Sequence, residues 1–153
     1  MSVAFRRESD EEHKEPRFEL PLPAGPNIVT ARGLRLIGEK VAALTATLSA
    51  GEDEDARRQW RYWTTRQSTA QVAPPPPADE VAIGSRVRVR MNGAERVIDI
   101  VGHDEAEPAA GRLAFAAPLA AALIGAEEGE MVDFAGRASA IEVLGISATP
   151  DQG

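Results

Sequence analysis

Residues 74–77 are four consecutive prolines, and the hydrophobic period differs on either side of them. Proline has no backbone N–H and clashes with a preceding helical turn, so neither a helix nor a central strand passes through this run. It is the best domain boundary in the chain, and a polyproline II spacer of roughly 12 Å is expected there. Before it, Leu34, Ile37, Val41, Leu44 and Leu48 recur at spacings of 3, 4, 3 and 4, the seam of an amphipathic helix. Thr30 stands at its N-cap position and Gly51 at its stop. Ala56, Trp60, Trp63, Gln67 and Ala70 make a second seam, predicting a helix over about 53–72. A short turn between two such helices makes them antiparallel neighbours. The expectation is therefore a coiled-coil helical hairpin, roughly 30 Å long for helices of about twenty residues.

After the prolines the period becomes 2. Val87 and Val89 alternate with Arg86, Arg88 and Arg90, and Asn92-Gly93 is a hairpin turn, because both residues tolerate positive φ. Val97, Ile98, Ile100 and Val101 form the return strand. Leu113 and Phe115 are expected on a short strand, Met131, Val132 and Phe134 on another, and Ile141, Val143 and Ile146 on the last. Pro118 opens a short helix through Leu123, closed by Gly125. About five strands and one helix make an α+β fold. The expected organisation is a disordered tail at 1–26, a helical hairpin at 27–73, a linker at 74–80, a β-rich domain at 81–148 and a tail at 149–153. Phe18, Leu20 and Leu22 are the tail residues able to touch the folded part.

Composition narrows the function. The net charge is −7 and aromatics are 5% of the 153 residues. An acidic surface repels free nucleic acid, and few aromatics argue against a large cofactor pocket. There is no cysteine, so thiolate metal sites and cysteine nucleophiles are excluded. No P-loop, dinucleotide-binding, nucleophile-elbow or zinc-protease motif is present. His13 and His103 are isolated and read as solvated histidines. The apolar stretch Leu113–Ala126 is broken by Pro118 and Gly125 and is shorter than the roughly 20 residues of a membrane span. No apolar segment follows the N-terminal Arg6-Arg7, so a soluble, cytoplasmic chain without membrane contact is expected.

Four side-chain groups carry candidate chemistry. Glu52, Asp53, Glu54 and Asp55 crowd the bend of the hairpin, where two readings stand: attraction of a hard cation such as Mg²⁺, or neutralisation of a helix N-terminus. Trp60 and Trp63 fall on the seam, whereas Tyr62 lies off it and is a candidate contact residue. Asp104-Glu105-Ala106-Glu107-Pro108 is an acidic loop, either solvated or docking a partner. Arg86, Arg88 and Arg90 share one strand face, pairing with that loop or facing water.

The stretch from Gly84 to Ile146 resembles the C-terminal domain of the GreA/GreB transcript-cleavage factor family. The matching run is Gly84-Ser85-x-Val87, Ile100-Val101-Gly102, Asp104 to Pro108, Pro118-Leu119 with Ala122-Leu123-Ile124-Gly125, Gly129-Glu130, and Ile141 to Ile146. Thr30-x-x-Gly33-Leu34 is similar to the start of the family's first coiled-coil helix. The resemblance implies an FKBP-like antiparallel β domain with one short helix that docks at the rim of the RNA polymerase secondary channel, and a coiled coil that enters it. In the family, two tip carboxylates share a Mg²⁺ with the polymerase active centre, and the polymerase cleaves backtracked RNA; the factor is no enzyme alone and binds no cofactor stably.

Carried over, Gly51-Glu52-Asp53-Glu54-Asp55 stands at the tip. Glu52 and Asp55 would be the Mg²⁺ ligands, and the four acids together the catalytic tip. Asp104, Glu105, Ala106, Glu107, Pro108, Pro118 and Leu119 would form the polymerase-docking surface. A monomer in indirect contact with RNA is expected. Five features depart from the family: Glu52 and Asp55 exchange its two tip acids, Ala56-Arg57-Arg58-Gln59 replaces its Asn-Ala-Glu-Tyr, the arm is shorter, Ala117 replaces a serine, and Ala126 stands where a lysine is common. They leave an alternative, a non-cleaving, Rnk-like regulator or a competitor of Gre factors. A prolyl isomerase, suggested by the FKBP-like fold alone, is disfavoured because residues 81–146 hold only Phe115 and Phe134 as aromatics.

Overall fold

The computed structural model describes residues 19–150. Thr30 caps the first helix as its place before the seam implies: its Oγ1 accepts from the Gly33 N–H at 3.0 Å. This helix, α1, spans Ala31–Ala50. Its seam faces inward, with Ile37 fully buried and Leu34, Val41, Leu44 and Leu48 half-buried. Asp53 caps α2, Glu54–Thr69, whose inner face carries Ala56, Trp60 and Trp63. Gln67, the fourth seam position, is exposed instead, at the edge of the contact. The Trp60 Nε1 donates to Thr45 Oγ1 at 3.1 Å, and a Cβ on Gly38 would lie 3.6 Å from Gln67 Nε2. Each step forward on one helix is thus a step back on the other, so the pair is antiparallel.

Helix α2 ends at Thr69, not at 72. Gln71–Val72 (β2) is extended and pairs in parallel with Ile28–Val29 (β1). The reason is hydrogen bonding: Gln71 N–H donates to Asn27 O at 2.9 Å and Ala73 N–H to Val29 O at 2.8 Å. Asn27 closes the helix as well, its Nδ2 donating to the Arg66 carbonyl at 2.8 Å and to Thr69 Oγ1 at 3.1 Å. Residues 19–26 are not free of the helices: Glu19 receives two hydrogen bonds from Arg61, at 3.0 and 2.8 Å. Leu20 and Leu22 stay exposed. The rest of the expected tail, with Phe18 and His13, and residues 151–153 lie outside the described residues.

The second part is a five-stranded sheet, ordered β5–β4–β3–β7–β6, from β3 (Ser85–Met91), β4 (Ala94–Val101), β5 (Arg112–Ala114), β6 (Met131–Phe134) and β7 (Arg137–Ala148). Asn92 and Gly93 turn β3 into β4 with φ of 54° and 76°, as their residue types require. Alternation in β3 sends Val87 and Val89 inward, against Ile98, Ile100, Ile141 and Val143. Helix α3, Pro118–Leu123, lays Ala120 and Leu123 on that layer. Each fully buried Val, Leu or Ile side chain of this layer stabilises the fold by about 1.5–3 kcal/mol.

The sheet is mixed, which corrects the antiparallel expectation: β4 and β5 run parallel. Residues 102–111 allow it. Two 3₁₀ turns, His103–Glu105 and Pro108–Ala110, carry the chain back to the start of β5. Gly111 closes the second at φ 81°, where a Cβ would fall 2.8 Å from the Val97 carbonyl oxygen.

Candidate functional site

At the hairpin bend the four carboxylates are largely engaged by their own helix. Asp53 Oδ1 accepts from the Ala56 N–H at 3.0 Å, the N-cap bond. Both oxygens of Glu52 accept from Arg57 Nη2, at 3.0 and 2.9 Å. Asp55 accepts from Arg58 Nη2 at 2.9 Å and from Gln59 Nε2 at 2.8 Å. Those two bonds, Arg58 first, hold the Asp55 carboxyl below its ordinary range. Glu54 sits in the first turn of α2. The Glu52 and Asp55 side chains remain 83% and 64% exposed, so both ion pairs are well solvated and contribute little to stability.

Among the described residues no group of three or more His, Asp or Glu side chains is arranged to hold a metal ion. Glu52 and Asp55, the expected ligands, would have to give up arginine partners to take one, and Arg57 and Arg58 would stand beside it. The donor set does not fit a resident Mg²⁺.

The acidic loop is the larger departure. Asp104 and Glu105 point inward, into the base of the helical pair. Arg66 Nε lies 2.6 Å from Asp104 Oδ2, both side chains 6% exposed. The Tyr62 hydroxyl donates to the other oxygen, Oδ1, at 2.5 Å. Burial, and then the hydrogen bond to Asp104, raise the Tyr62 pKa far above the ordinary tyrosine value. Glu105 accepts from Thr30 Oγ1 at 2.5 Å and from Arg32 Nη1 at 2.8 Å, with its own side chain 4% exposed. Asp104 and Glu105, expected on the docking surface, are thus turned from solvent toward the helical pair. A buried carboxylate needs a matching donor, and α1 and α2 supply one for each.

The other expected docking residues divide. Glu107 and Pro108 are exposed, Ala106 is half-buried, Pro118 is exposed and Leu119 packs against the core. Glu107 Oε1 accepts from Arg112 Nη2 at 2.5 Å. The strand arginines pair neither with the loop nor only with water. Arg86 grips Asp99 on β4 at 2.7 and 3.0 Å, and Arg90 reaches Glu95 on β4 and Glu142 on β7 at 3.3 and 3.2 Å.

Arg32 and Arg66, and Thr30 beyond its place as a helix cap, were not singled out by the sequence as partners of the acidic loop, nor Asn27 as a partner of α2. One signal existed: Tyr62 and Arg66 are four apart on α2, off the apolar seam, and so share a face.

These features define a helical arm seated on a mixed β module, with charged groups spent on internal joints. Residues 76–148 match the family described as "Transcription elongation factor, GreA/GreB, C-term". The transcription elongation factor GreA of Roseiflexus sp. (strain RS-1) is 33% identical over 111 residues, 63% of this chain and 71% of that protein. GreA of Roseiflexus castenholzii is 32% identical over 118 residues, 68% of this chain and 75% of that protein. The crystal structure of GreA factor homolog 1 (Gfh1) of Thermus thermophilus covers 81% of this chain and 100% of its own at 16% identity, with a TM-score of 0.40. That likeness is too loose to place any residue. The chain belongs to the GreA/GreB family of transcription elongation factors.

No described helix is long and apolar enough to cross a membrane.

Proposed function

We propose that this elongation factor binds RNA polymerase at the secondary channel and acts there by occupancy, with the helical pair entering and the β module docking at the rim. In this reading the pair (27–73) is a coiled coil and the module (81–148) is FKBP-like. The protein is a cytoplasmic monomer, an accessory to the polymerase and not an enzyme in its own right. Exposed Glu107, Pro108 and Pro118 carry the docking.

The observation behind occupancy is the state of the tip. Glu52 and Asp55, the residues that would carry a shared Mg²⁺, already face Arg57 and Arg58. A cation brought between them meets two guanidinium charges, and metal-assisted hydrolysis needs ligands placed within about 1 Å.

The second reading, stimulation of cleavage of backtracked RNA through Glu52, Asp53, Glu54 and Asp55, is favoured by one fact. The Glu52 and Asp55 carboxylates are exposed, so their ion pairs break at little cost. Purified polymerase on a backtracked template separates the two. Occupancy predicts saturable binding with the RNA left intact. Shortened RNA at saturation, lost on Glu52→Ala with Asp55→Ala, would establish the cleavage reading in its place.

A further inference from the structure

We propose that Asp104 and Glu105, together with Arg66, Tyr62, Thr30 and Arg32, are positioning residues that fix the angle between the helical pair and the sheet, so that the polymerase meets one rigid piece. This rests on the reading that arm and module engage the polymerase together.

The only covalent link from the arm to the sheet is the stretch from Ala73 to Gly84, with its four prolines. A single tether leaves orientation open unless contacts close it. Two consecutive side chains of one loop do so by gripping different helices. Asp104 holds α2 through Arg66 and Tyr62, and Glu105 holds the start of α1 through Thr30 and Arg32. One anchor would leave an axis of rotation; two anchors on two antiparallel helices remove it.

The joint is dry and close. Thr30 is 1% exposed and Arg66 5%. A Cβ on Gly102 would fall 2.5 Å from the Ile28 carbonyl oxygen, and one on Gly33 2.9 Å from Glu105 Oε1. Backbone therefore meets backbone on one side of the loop and side chain meets backbone on the other. Buried pairs of this kind are little screened by salt and tolerate little displacement. Surface pairs such as Arg57 with Glu52 do neither.

The test uses the absence of native cysteine. Spin labels are placed on Ala50→Cys, at the far end of α1, and on Glu128→Cys, in the exposed loop before β6. The distance between them is read by pulsed electron resonance, and polymerase affinity is titrated in parallel. The parent should give one narrow distance. Asp104→Asn should broaden it and weaken polymerase binding about tenfold, as preorganisation is lost, with helix content unchanged. Arg66→Asp combined with Asp104→Arg should restore both. Should Asp104→Asn fail to fold, Tyr62→Phe with Glu105→Gln makes the same test more gently.

A distance that stays narrow in these variants overturns the proposal, and so does a broadened distance with unchanged affinity. If the parent itself does not bind polymerase, the proposed function falls. The distance arm still decides whether the joint fixes the angle.

Discussion

Arg66 and Asp104 stand 38 positions apart, yet their side chains meet at 2.6 Å with only 6% of each left exposed. One comes from the helical arm and the other from the loop that follows β4. Removing one partner strands a buried charge, whereas replacing both with apolar groups does not. Arg66→Met alone should cost about 3–5 kcal/mol of stability in urea unfolding, and Arg66→Met with Asp104→Leu and Tyr62→Phe, which leaves no polar group of the joint unpaired, should recover most of it. A single substitution costing under about 1 kcal/mol would show that the pair is not desolvated as described.

Tyr62 is the chain's single tyrosine, so its phenolate absorbance reports one group. Its pKa in the folded state is raised, first by burial and then by Asp104. A raised value means the native state holds the neutral form. That contribution to stability is fully present below the unfolded value of about 10 and is lost as pH rises above it. The native protein should titrate well above that value, and urea stability should begin to fall near it. A native midpoint at the ordinary value would contradict the Tyr62–Asp104 contact.

The hairpin bend depends on one cap. Asp53→Ala removes the acceptor of the Ala56 N–H and should cost about 1 kcal/mol, whereas Asp53→Asn should cost little. Equal losses in both, measured by thermal unfolding, would point to charge and not capping as the role of Asp53.

Gly102 is where the loop leaves β4. Gly102→Ala puts a Cβ 2.5 Å from the Ile28 carbonyl oxygen, a contact with backbone that cannot swing aside. The expected loss is about 1–3 kcal/mol. No loss would mean that the arm shifts freely against the sheet.

What the chain reveals by itself follows its periodicities. The 3-4-3-4 seam of α1, the Ala56, Trp60 and Trp63 positions of the α2 seam, the alternation of Val87 and Val89 and the Asn92-Gly93 turn appear where the residues place them, because burial along one element is a local pattern. The parallel pairing of β1 with β2 does not show, since two-residue strands carry no period. The parallel placement of β5 is equally hidden, because two 3₁₀ turns decide it. Asp104 and Glu105 read as a solvated or docking loop because a carboxylate in a sequence is silent about a donor 38 or 75 residues away. The tip was legible as acidic, and Arg57 and Arg58 stand only five and three positions from Glu52 and Asp55, so their pairing was open to local helix spacing although the sequence reading did not draw it.

Photo-crosslinking from the arm tests the central claim most directly. A benzophenone on Glu52→Cys, the chain's sole thiol, is irradiated with the full chain bound to purified RNA polymerase. Occupancy predicts saturable crosslinks to polymerase segments lining the secondary channel. Crosslinks confined to the outer surface of the polymerase, or none at saturating protein, would contradict it.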